Sequence, residues 1–417
     1  MALNLFKRVD SVKGLFAVES ISLIYNALTT IMVLILFPRM DHPVIMLLER
    51  AGIVAITFAL IYLYRKYPCK LTAFIRMAVQ MAFLAYWYPD TFEFNRLFPN
   101  LDNFFASAEQ FLFRCQPSVE FSEHFPSMWF SEPFNMGYFA YYPMIGIVTI
   151  YYFLFRFEWF EKVSFVLVTS FFIYYLIYIL VPVAGPQFYF PAIGMDNVMA
   201  QHFPAIGDYF NNNDILLPGP GFDHGFFFNL VEASQEVGER PTAAFPSSHV
   251  GISTIVMIMA YRVNKKLCYF LAPFYVLLCC ATVYIQAHYL VDVIAGWISA
   301  VCIYIVVLPL LIIDSRKKGR FMGGAVAAFL VGYACLFFKT GILRSVYPVS
   351  AALTVVGFDM AEYTGTASQG NRVLAVLVLG IILLVSVMLV WFCKPPQEGT
   401  KHKIRGRRGK QLRVSQR

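Results

Sequence analysis

Charged residues are scarce in this chain. Only 14% of its 417 residues are Asp, Glu, Lys or Arg, whereas 59% are hydrophobic. Soluble globular proteins carry about 25% charged residues. The scarcity excludes an ordinary soluble domain and predicts an all-α fold, a polytopic bundle of transmembrane helices.

Signals for several other protein classes are also missing. The eight cysteines include no C-x-x-C pair, so neither a disulfide framework nor a cysteine metal site is predicted. The first apolar segment is too long for a cleaved signal peptide and lacks a small-residue cleavage site, which makes it a first transmembrane helix. The net charge of +8 lies largely in short loops and a basic tail. Such a pattern indicates orientation in a membrane and no nucleic-acid partner.

Apolar segments recur along the whole chain, and a bilayer takes roughly 20 such residues per helix. Basic residues fall in alternate connectors, and cytoplasmic loops are the ones enriched in Lys and Arg. The pattern predicts about ten spans with both termini in the cytoplasm. The predicted spans are 15–38, 43–64, 70–88, 137–156, 163–184, 247–263, 268–286, 289–313, 321–338 and 372–393.

The long loops between these spans are predicted to lie outside the cytoplasm. They cover 89–136, 185–246 and 339–371, and they are rich in Phe, Tyr, Trp and Pro. Aromatic rings with polar tips suit the headgroup level, so we expect these loops to form a cap. The predicted division is N-terminal helices with an outer loop (1–136), a catalytic membrane core (137–313), C-terminal helices (314–393) and a basic cytoplasmic tail (394–417).

Three charged residues lie inside predicted spans, namely Glu19, Arg50 and Arg76. One interpretation is that they line a transport path, which would make the protein a lipid or solute transporter. The favoured interpretation is that both arginines extend to a membrane interface and Glu19 faces a neighbouring helix.

Two histidine-bearing segments open predicted spans on the same side of the membrane. His249 begins the sixth span, and His288 and Asp292 begin the eighth. Ionisable residues there are costly and usually functional. His288 and Asp292 are spaced i, i+4 on one helix side, so the carboxylate can orient the imidazole and leave the far nitrogen free as a nucleophile. His249 can protonate a leaving oxygen.

The residues before His249 predict an anion site. Ser247 and Ser248 follow a proline in a helix-start pattern, and the free N–H groups of a helix N-terminus bind anions. Arg240 is the only Lys or Arg between Gly185 and Phe245, against seven Asp or Glu. A lone guanidinium suits a phosphate clamp. The set predicts phosphate chemistry, with a metal site of two His and one Asp as the alternative.

Together, the two histidine segments resemble motifs of the type 2 phosphatidic acid phosphatase superfamily. The motifs are Phe-Pro-Ser-Ser-His249-Val-Gly and His288-Tyr-Leu-Val-Asp292-Val-Ile-Ala-Gly, and the similarity covers about residues 140–313. The branch that the chain most resembles contains the inositol phosphorylceramide synthases, which are inositolphosphotransferases, and their bacterial relatives.

The resemblance implies a phosphohistidine intermediate formed without a metal or other cofactor. His288 would be the nucleophile, Asp292 its orienting partner and His249 the general acid. Ser247 and the amide of Ser248 would bind the phosphate.

The chain departs from the family pattern at its basic residues. Ala233 stands where the first motif has Lys, and Ala281 and Thr282 stand where the third motif has Ser-Arg. The inositol-transferring branch also lacks that arginine, and Arg240 is the substitute that the charge pattern suggests. An inactive relative is a further alternative.

The expected function is cleavage of a lipid phosphate ester at the non-cytoplasmic face, with transfer to water or to a lipid hydroxyl. Its expected partners are a phosphorylated lipid and the bilayer. The outer loops contain no Asn-x-Ser/Thr acceptor, which favours a bacterial inner membrane with the site facing the periplasm.

Overall fold

The computed structural model describes residues 5–9 and 14–312, with side chains for all except residues 237 and 306–312, and this part of the chain is all-α. The predicted fold class is therefore confirmed. The first helices are α1 (Ala17–Leu36), α2 (Pro43–Lys66), α3 (Lys70–Ala82), α4 (Leu84–Asn95), α5 (Asp102–Phe113), α6 (Pro117–His124), α7 (Met128–Phe139) and α8 (Tyr141–Phe155). They are followed by α9 (Phe157–Leu180), α10 (Pro186–Ile193), α11 (Met195–Met199), α12 (Phe226–Gly238), α13 (Ser248–Val263), α14 (Lys265–Tyr284) and α15 (Leu290–Ile312).

Helix α9 occupies the centre of the bundle. It is apolar or aromatic on nearly every face, as expected of a helix that packs on all sides. It contacts α1, α4, α8, α13 and α15. Helix α13 packs in turn against α8, α14 and α15. This arrangement places the first turns of α13 and α15 side by side.

Several helices are long and apolar enough to cross a bilayer. They are Ala17–Arg39, α2, α9 and α14, which makes four, or five if the pair α7 and α8, bent by 44°, is one span. Helix α13 and Leu290–Ile305 of α15 are shorter apolar helices. Multiple candidate spans indicate an integral membrane protein.

The prediction of about ten spans is wrong. The described residues hold four or five candidates where the sequence predicts eight, and the segments 321–338 and 372–393 lie outside the described residues, as do the loop 339–371 and the tail 394–417. The predicted span 70–88 is divided between α3 and α4 and includes buried Arg76 and Gln80. Hydropathy counts apolar residues but does not detect such a break. The predicted orientation stays a prediction.

Two of the predicted outer loops contain helices. Residues 89–136 include α5 and α6, and residues 185–246 include α10, α11 and α12. Helix α12 packs against α7, and the Glu132 carboxylate accepts hydrogen bonds from the first amides of α12, those of Phe227 and Phe228, at 3.1 and 3.0 Å. A carboxylate at a helix N-terminus stabilises that end, so these segments are packed elements and not irregular connections.

The charged residues of the predicted spans form buried ion pairs. Arg50 Nη2 donates to both carboxylate oxygens of Asp90, at 2.9 and 2.7 Å. Arg76 donates through Nε and Nη2 to Glu19, at 2.7 and 2.5 Å. Both arginines are 1% exposed, so the prediction that they extend to an interface is wrong, whereas Glu19 does face a neighbouring helix. Because Glu19, Arg50 and Arg76 are held in ion pairs, these three residues do not support the interpretation of a transport path.

The Arg50–Asp90 pair gives a testable prediction for stability. Arg50→Met leaves the Asp90 carboxylate buried without a cation, and we expect it to lower the free energy of unfolding by about 3–5 kcal/mol. The double variant Arg50→Met/Asp90→Leu should lose much less, because replacing a whole buried pair by apolar residues is often nearly neutral. Thermal unfolding in detergent measures both.

Arg65→Met is the matched control, because Arg65 lies exposed on the same helix. The pairing argument fails if Arg50→Met is as stable as this control, or if the double variant is no more stable than Arg50→Met.

Candidate active site

His288 lies in the loop between α14 and α15. Its Nδ1 is 2.8 Å from the main-chain oxygen of Ala244, and its Nε2 is 3.5 Å from Nδ1 of His249. A carbonyl oxygen can only accept a hydrogen bond, so Nδ1 of the neutral ring carries the hydrogen and Nε2 carries the lone pair. The structure thus brings together two histidines that are 39 residues apart in the chain.

His249 is the second residue of α13, and aromatic rings fix its side chain. Its ring stacks on Tyr138 with 4.7 Å between centroids, and Tyr141 lies at 4.5 Å on a tilted plane. Both tyrosines are buried. The imidazole is therefore held facing His288, within reach of a group bound between the two rings.

Asp292 lies beside His288 but is not its hydrogen-bond partner. Its Oδ2 is 3.7 Å from His288 Nδ1 and accepts a hydrogen bond of 2.9 Å from the amide of Tyr289. The carboxylate is fully buried. It can stabilise a positive imidazole by its charge, while the Ala244 carbonyl orients the ring. Sequence patterns give no signal for that carbonyl, because every residue has one.

The two serines lie at the start of α13, as the helix-start pattern predicts. Ser247 is the N-cap residue: it is fully buried, and its Oγ accepts from the Val250 amide at 3.4 Å. The Ser248 amide donates to the hydroxyl of Tyr178 at 3.0 Å. Ser248 lines the cavity beside the histidines, and Ser247 does not.

A small cavity lies between the two histidine segments. The volume open to the centre of a water-sized sphere is about 20 Å³, which is room for about one water molecule. Its polar lining comes from five parts of the chain. The lining residues are Tyr88, Tyr138, Ala184, Gln187, Glu239, Thr242, Ala243, Ala244, Ser248, His249, Ala287 and His288.

The structure does not bring Arg240 into this cavity. The Arg240 side chain is exposed, and its Nη1 donates to the carbonyl of Glu239 at 2.7 Å. None of the described lining residues is Lys or Arg. The predicted phosphate clamp is therefore outside the site in this conformation.

The neighbouring Glu239 points into the cavity instead. Its Oε2 accepts from the Tyr88 hydroxyl at 2.9 Å and its Oε1 from the Tyr138 hydroxyl at 3.4 Å. Burial raises the pKa of Glu239, and the Tyr88 hydrogen bond and nearby His288 oppose part of that rise. Sequence reasoning missed this residue, because one acidic residue among seven in the loop has no distinguishing spacing.

The segment between α9 and α10 passes very close to the His288 loop at Gly185. The residue has φ +93°, and a Cβ there would lie 2.5 Å from the carbonyl oxygen of Ala287. Only glycine tolerates both conditions. Asp102 of α5 accepts from the Gly185 amide at 2.8 Å and from the hydroxyl of Tyr289 at 3.0 Å, which ties this segment to the start of α15.

The metal-site alternative has no support in the described part of the chain, where no group of three or more His, Cys, Asp and Glu side chains is arranged to hold a metal ion.

The protonation of His288 can be tested directly. Burial lowers the pKa of His288 from 6.5 to about 4, against the opposing effects of the Ala244 carbonyl and Glu239. The ring should therefore stay neutral, with its Nε2 lone pair free, as the pH falls through the range where an ordinary histidine is protonated. The rate at which the imidazole C2 hydrogen exchanges, measured by mass spectrometry as a function of pH, should change with a midpoint near pH 4.

The same peptide in the denatured protein is the control, with an expected midpoint of about 6.5. Because the unfolded chain binds this proton at higher pH, acidification from about 6.5 towards 4 should also destabilise the fold. A folded-state midpoint at or above the denatured value would contradict this account of the site.

Comparison with known families identifies the region that contains the site. Residues 103–306 match the family model described as the PAP2 superfamily, whose members are generally metal-independent phosphatases; the match names no branch. Comparisons with curated proteins and with solved structures give no significant match. The matched region begins in α5 and includes both histidine segments. Residues 103–306 thus form a PAP2 superfamily domain in an integral membrane protein.

Proposed function

We propose that the protein cleaves a lipid phosphate ester through a phosphohistidine on His288. The observation that carries the proposal is the orientation of His288, whose Nε2 lone pair faces Nδ1 of His249 at 3.5 Å beside a small cavity. A nucleophile needs that lone pair, and a general acid must lie within reach of the leaving oxygen.

In the first step His288 Nε2 attacks phosphorus, and the ester P–O bond breaks. The leaving oxygen keeps the electron pair and takes a proton from His249, which enters this step as the imidazolium and leaves it neutral. The phosphorylated ring is positively charged, and the Ala244 carbonyl and the Asp292 carboxylate, at 2.8 and 3.7 Å from Nδ1, stabilise it.

In the second step an acceptor oxygen attacks the phosphorus, the P–N bond breaks and His288 regains its lone pair. His249 takes the acceptor's proton, as microscopic reversibility requires. Since the cavity holds about one water, a lipid substrate requires it to widen. Residues 226–242, which supply Glu239 and Thr242, are the part of the lining that we propose moves, while Ala244 keeps its hydrogen bond to His288.

The charge of the cavity favours one class of ester. A phosphate monoester carries about −1.5 to −2 near neutral pH, whereas a diester carries a single negative charge. The cavity presents the Glu239 carboxylate and none of its described lining residues is Lys or Arg, so a dianion is repelled more strongly than a monoanion. We therefore propose a phospho-headgroup transferase of the inositolphosphotransferase kind, acting on a lipid phosphodiester. A phosphatase that acts on monoesters is the alternative.

The cellular setting is part of the proposal. We propose a bacterial inner membrane, with the site on the non-cytoplasmic face, and the lack of glycosylation acceptors in the predicted outer loops supports the bacterial setting.

Trapping the intermediate tests the mechanism. Purified protein incubated with ³²P-labelled lipid esters and quenched in alkali should carry label on His288, and His288→Ala should carry none. His249→Gln should slow labelling by a lipid ester by about 10²–10⁴-fold. The same His249→Gln variant should be labelled readily by a ³²P-labelled p-nitrophenyl phosphodiester, because p-nitrophenolate leaves without being protonated.

His124→Gln is the matched control, because its side chain is 69% exposed on α6. Undiminished label in His288→Ala rejects His288 as nucleophile. If no ester labels the wild-type protein, the result supports the alternative that the protein is a catalytically inactive relative.

Glu239→Gln tests the charge argument. At a pH above the raised pKa of Glu239, where its carboxylate is ionised, the wild-type protein should prefer a lipid diester to phosphatidic acid. Removing the carboxylate charge should raise monoester turnover relative to diester turnover by about tenfold. The reason is that the more highly charged monoester is relieved of more electrostatic repulsion. Released phosphate and new phospholipid are measured in mixed micelles.

Glu236→Gln is the control for this substitution, since Glu236 is exposed on α12, three residues from Glu239. If both variants keep the wild-type ratio, Glu239 does not select the substrate charge.

A further inference from the structure

The carboxylate of Glu109 lies at the N-terminus of the helix that follows His288. Glu109 belongs to α5, which is not a candidate membrane span. Its Oε1 accepts hydrogen bonds from the amides of Leu290 and Val291, the second at 3.2 Å. These are the first two residues of α15, and they lie between His288 and Asp292.

Those amides have no partners within their own helix, because the first N–H groups of any α-helix are unpaired. The preceding residue usually caps them with a short polar side chain, but here that residue is Tyr289. Asp292 is engaged with the Tyr289 amide at 2.9 Å. A side chain from a distant part of the chain therefore supplies the cap.

Glu109 is held there at a cost. It is fully buried, and its second oxygen, Oε2, has no hydrogen-bond partner. Burying a carboxylate is unfavourable unless other groups compensate. No described Lys or Arg pairs with it, so the two amides and the positive end of the α15 dipole are its compensation. The same arrangement fixes α15 against α5.

We propose that Glu109 is a positioning residue of the active site, which sets the location of His288 and Asp292 by capping α15. The inference rests on the proposed role of His288 for its effect on turnover. Glu109 itself does not line the cavity; it contacts the amides of Leu290 and Val291, and its carboxyl group interacts electrostatically with Asp292.

Two substitutions separate the cap from the charge. Glu109→Gln keeps an amide oxygen as acceptor, and Glu109→Ala removes it. We expect Glu109→Ala to slow His288 phosphorylation and kcat by about 10–100-fold, since a misplacement of 1 Å can cost about 10² in rate. KM should stay within about twofold, because Glu109 does not line the cavity. Glu109→Gln should restore most of the rate.

Amide hydrogen exchange of the peptide containing residues 289–292 gives a readout that needs no activity. Glu109→Ala should speed exchange there by about tenfold or more, while Glu109→Gln and the control Glu123→Ala stay at the wild-type rate. Glu123 is exposed on α6.

The outcomes are distinguishable. Unchanged exchange in Glu109→Ala overturns the cap, whatever the protein's activity. Faster exchange with an unchanged rate of His288 phosphorylation overturns the positioning role. Faster exchange in a chain that never forms phosphohistidine supports the cap and rejects the proposed function instead.

Discussion

The hydrogen bond from His288 Nδ1 to the Ala244 carbonyl is the contact on which the site depends. It fixes the neutral tautomer, aims Nε2 at His249 and joins the two histidine segments. Further main-chain hydrogen bonds hold the same segments together: the Ser247 amide donates to the Asp292 carbonyl at 3.0 Å, and the Ala244 amide to the Val183 carbonyl at 2.9 Å. The backbone, more than any side chain, orients the nucleophile.

Each of the two segments includes a residue with an unfavourable backbone conformation, one immediately before the Ala244 carbonyl and one two residues before His288. Ala243 has φ +69° and Gln286 has φ +61°, and the left-handed region costs a non-glycine residue roughly 1–2 kcal/mol. The turn at Ala243 precedes the carbonyl that receives the His288 hydrogen bond. Strain of this kind persists where surrounding contacts determine the conformation. Here the Ala244 amide donates to the Val183 carbonyl, and the Gln286 carbonyl accepts from the Gln187 amide of α10.

Part of this site could be predicted because ionisable residues are conspicuous in apolar sequence. His249, His288 and Asp292 stand out for that reason, and the helix start at Ser247 follows from local residue preferences. Local residue preferences do not determine which of two adjacent side chains faces the cavity. The sequence therefore predicts Arg240 as the phosphate ligand, whereas Glu239 lines the cavity. The Ala244 carbonyl and Glu109 depend on tertiary packing. Span counting failed for a related reason, since hydropathy does not register the break between α3 and α4.

The buried carboxylates of α5 bear on where the catalytic unit begins. The predicted division at 136 and 137 assigns α5 to an N-terminal region, yet Asp102 and Glu109 contact the ends of α9 and α15 around the nucleophile. A core that began at 137 would leave the first amides of α15 without their cap. The family match, which begins at residue 103, includes nearly all of α5. The contacts therefore favour a catalytic unit that starts with α5, because this helix holds the segment that follows His288 in place.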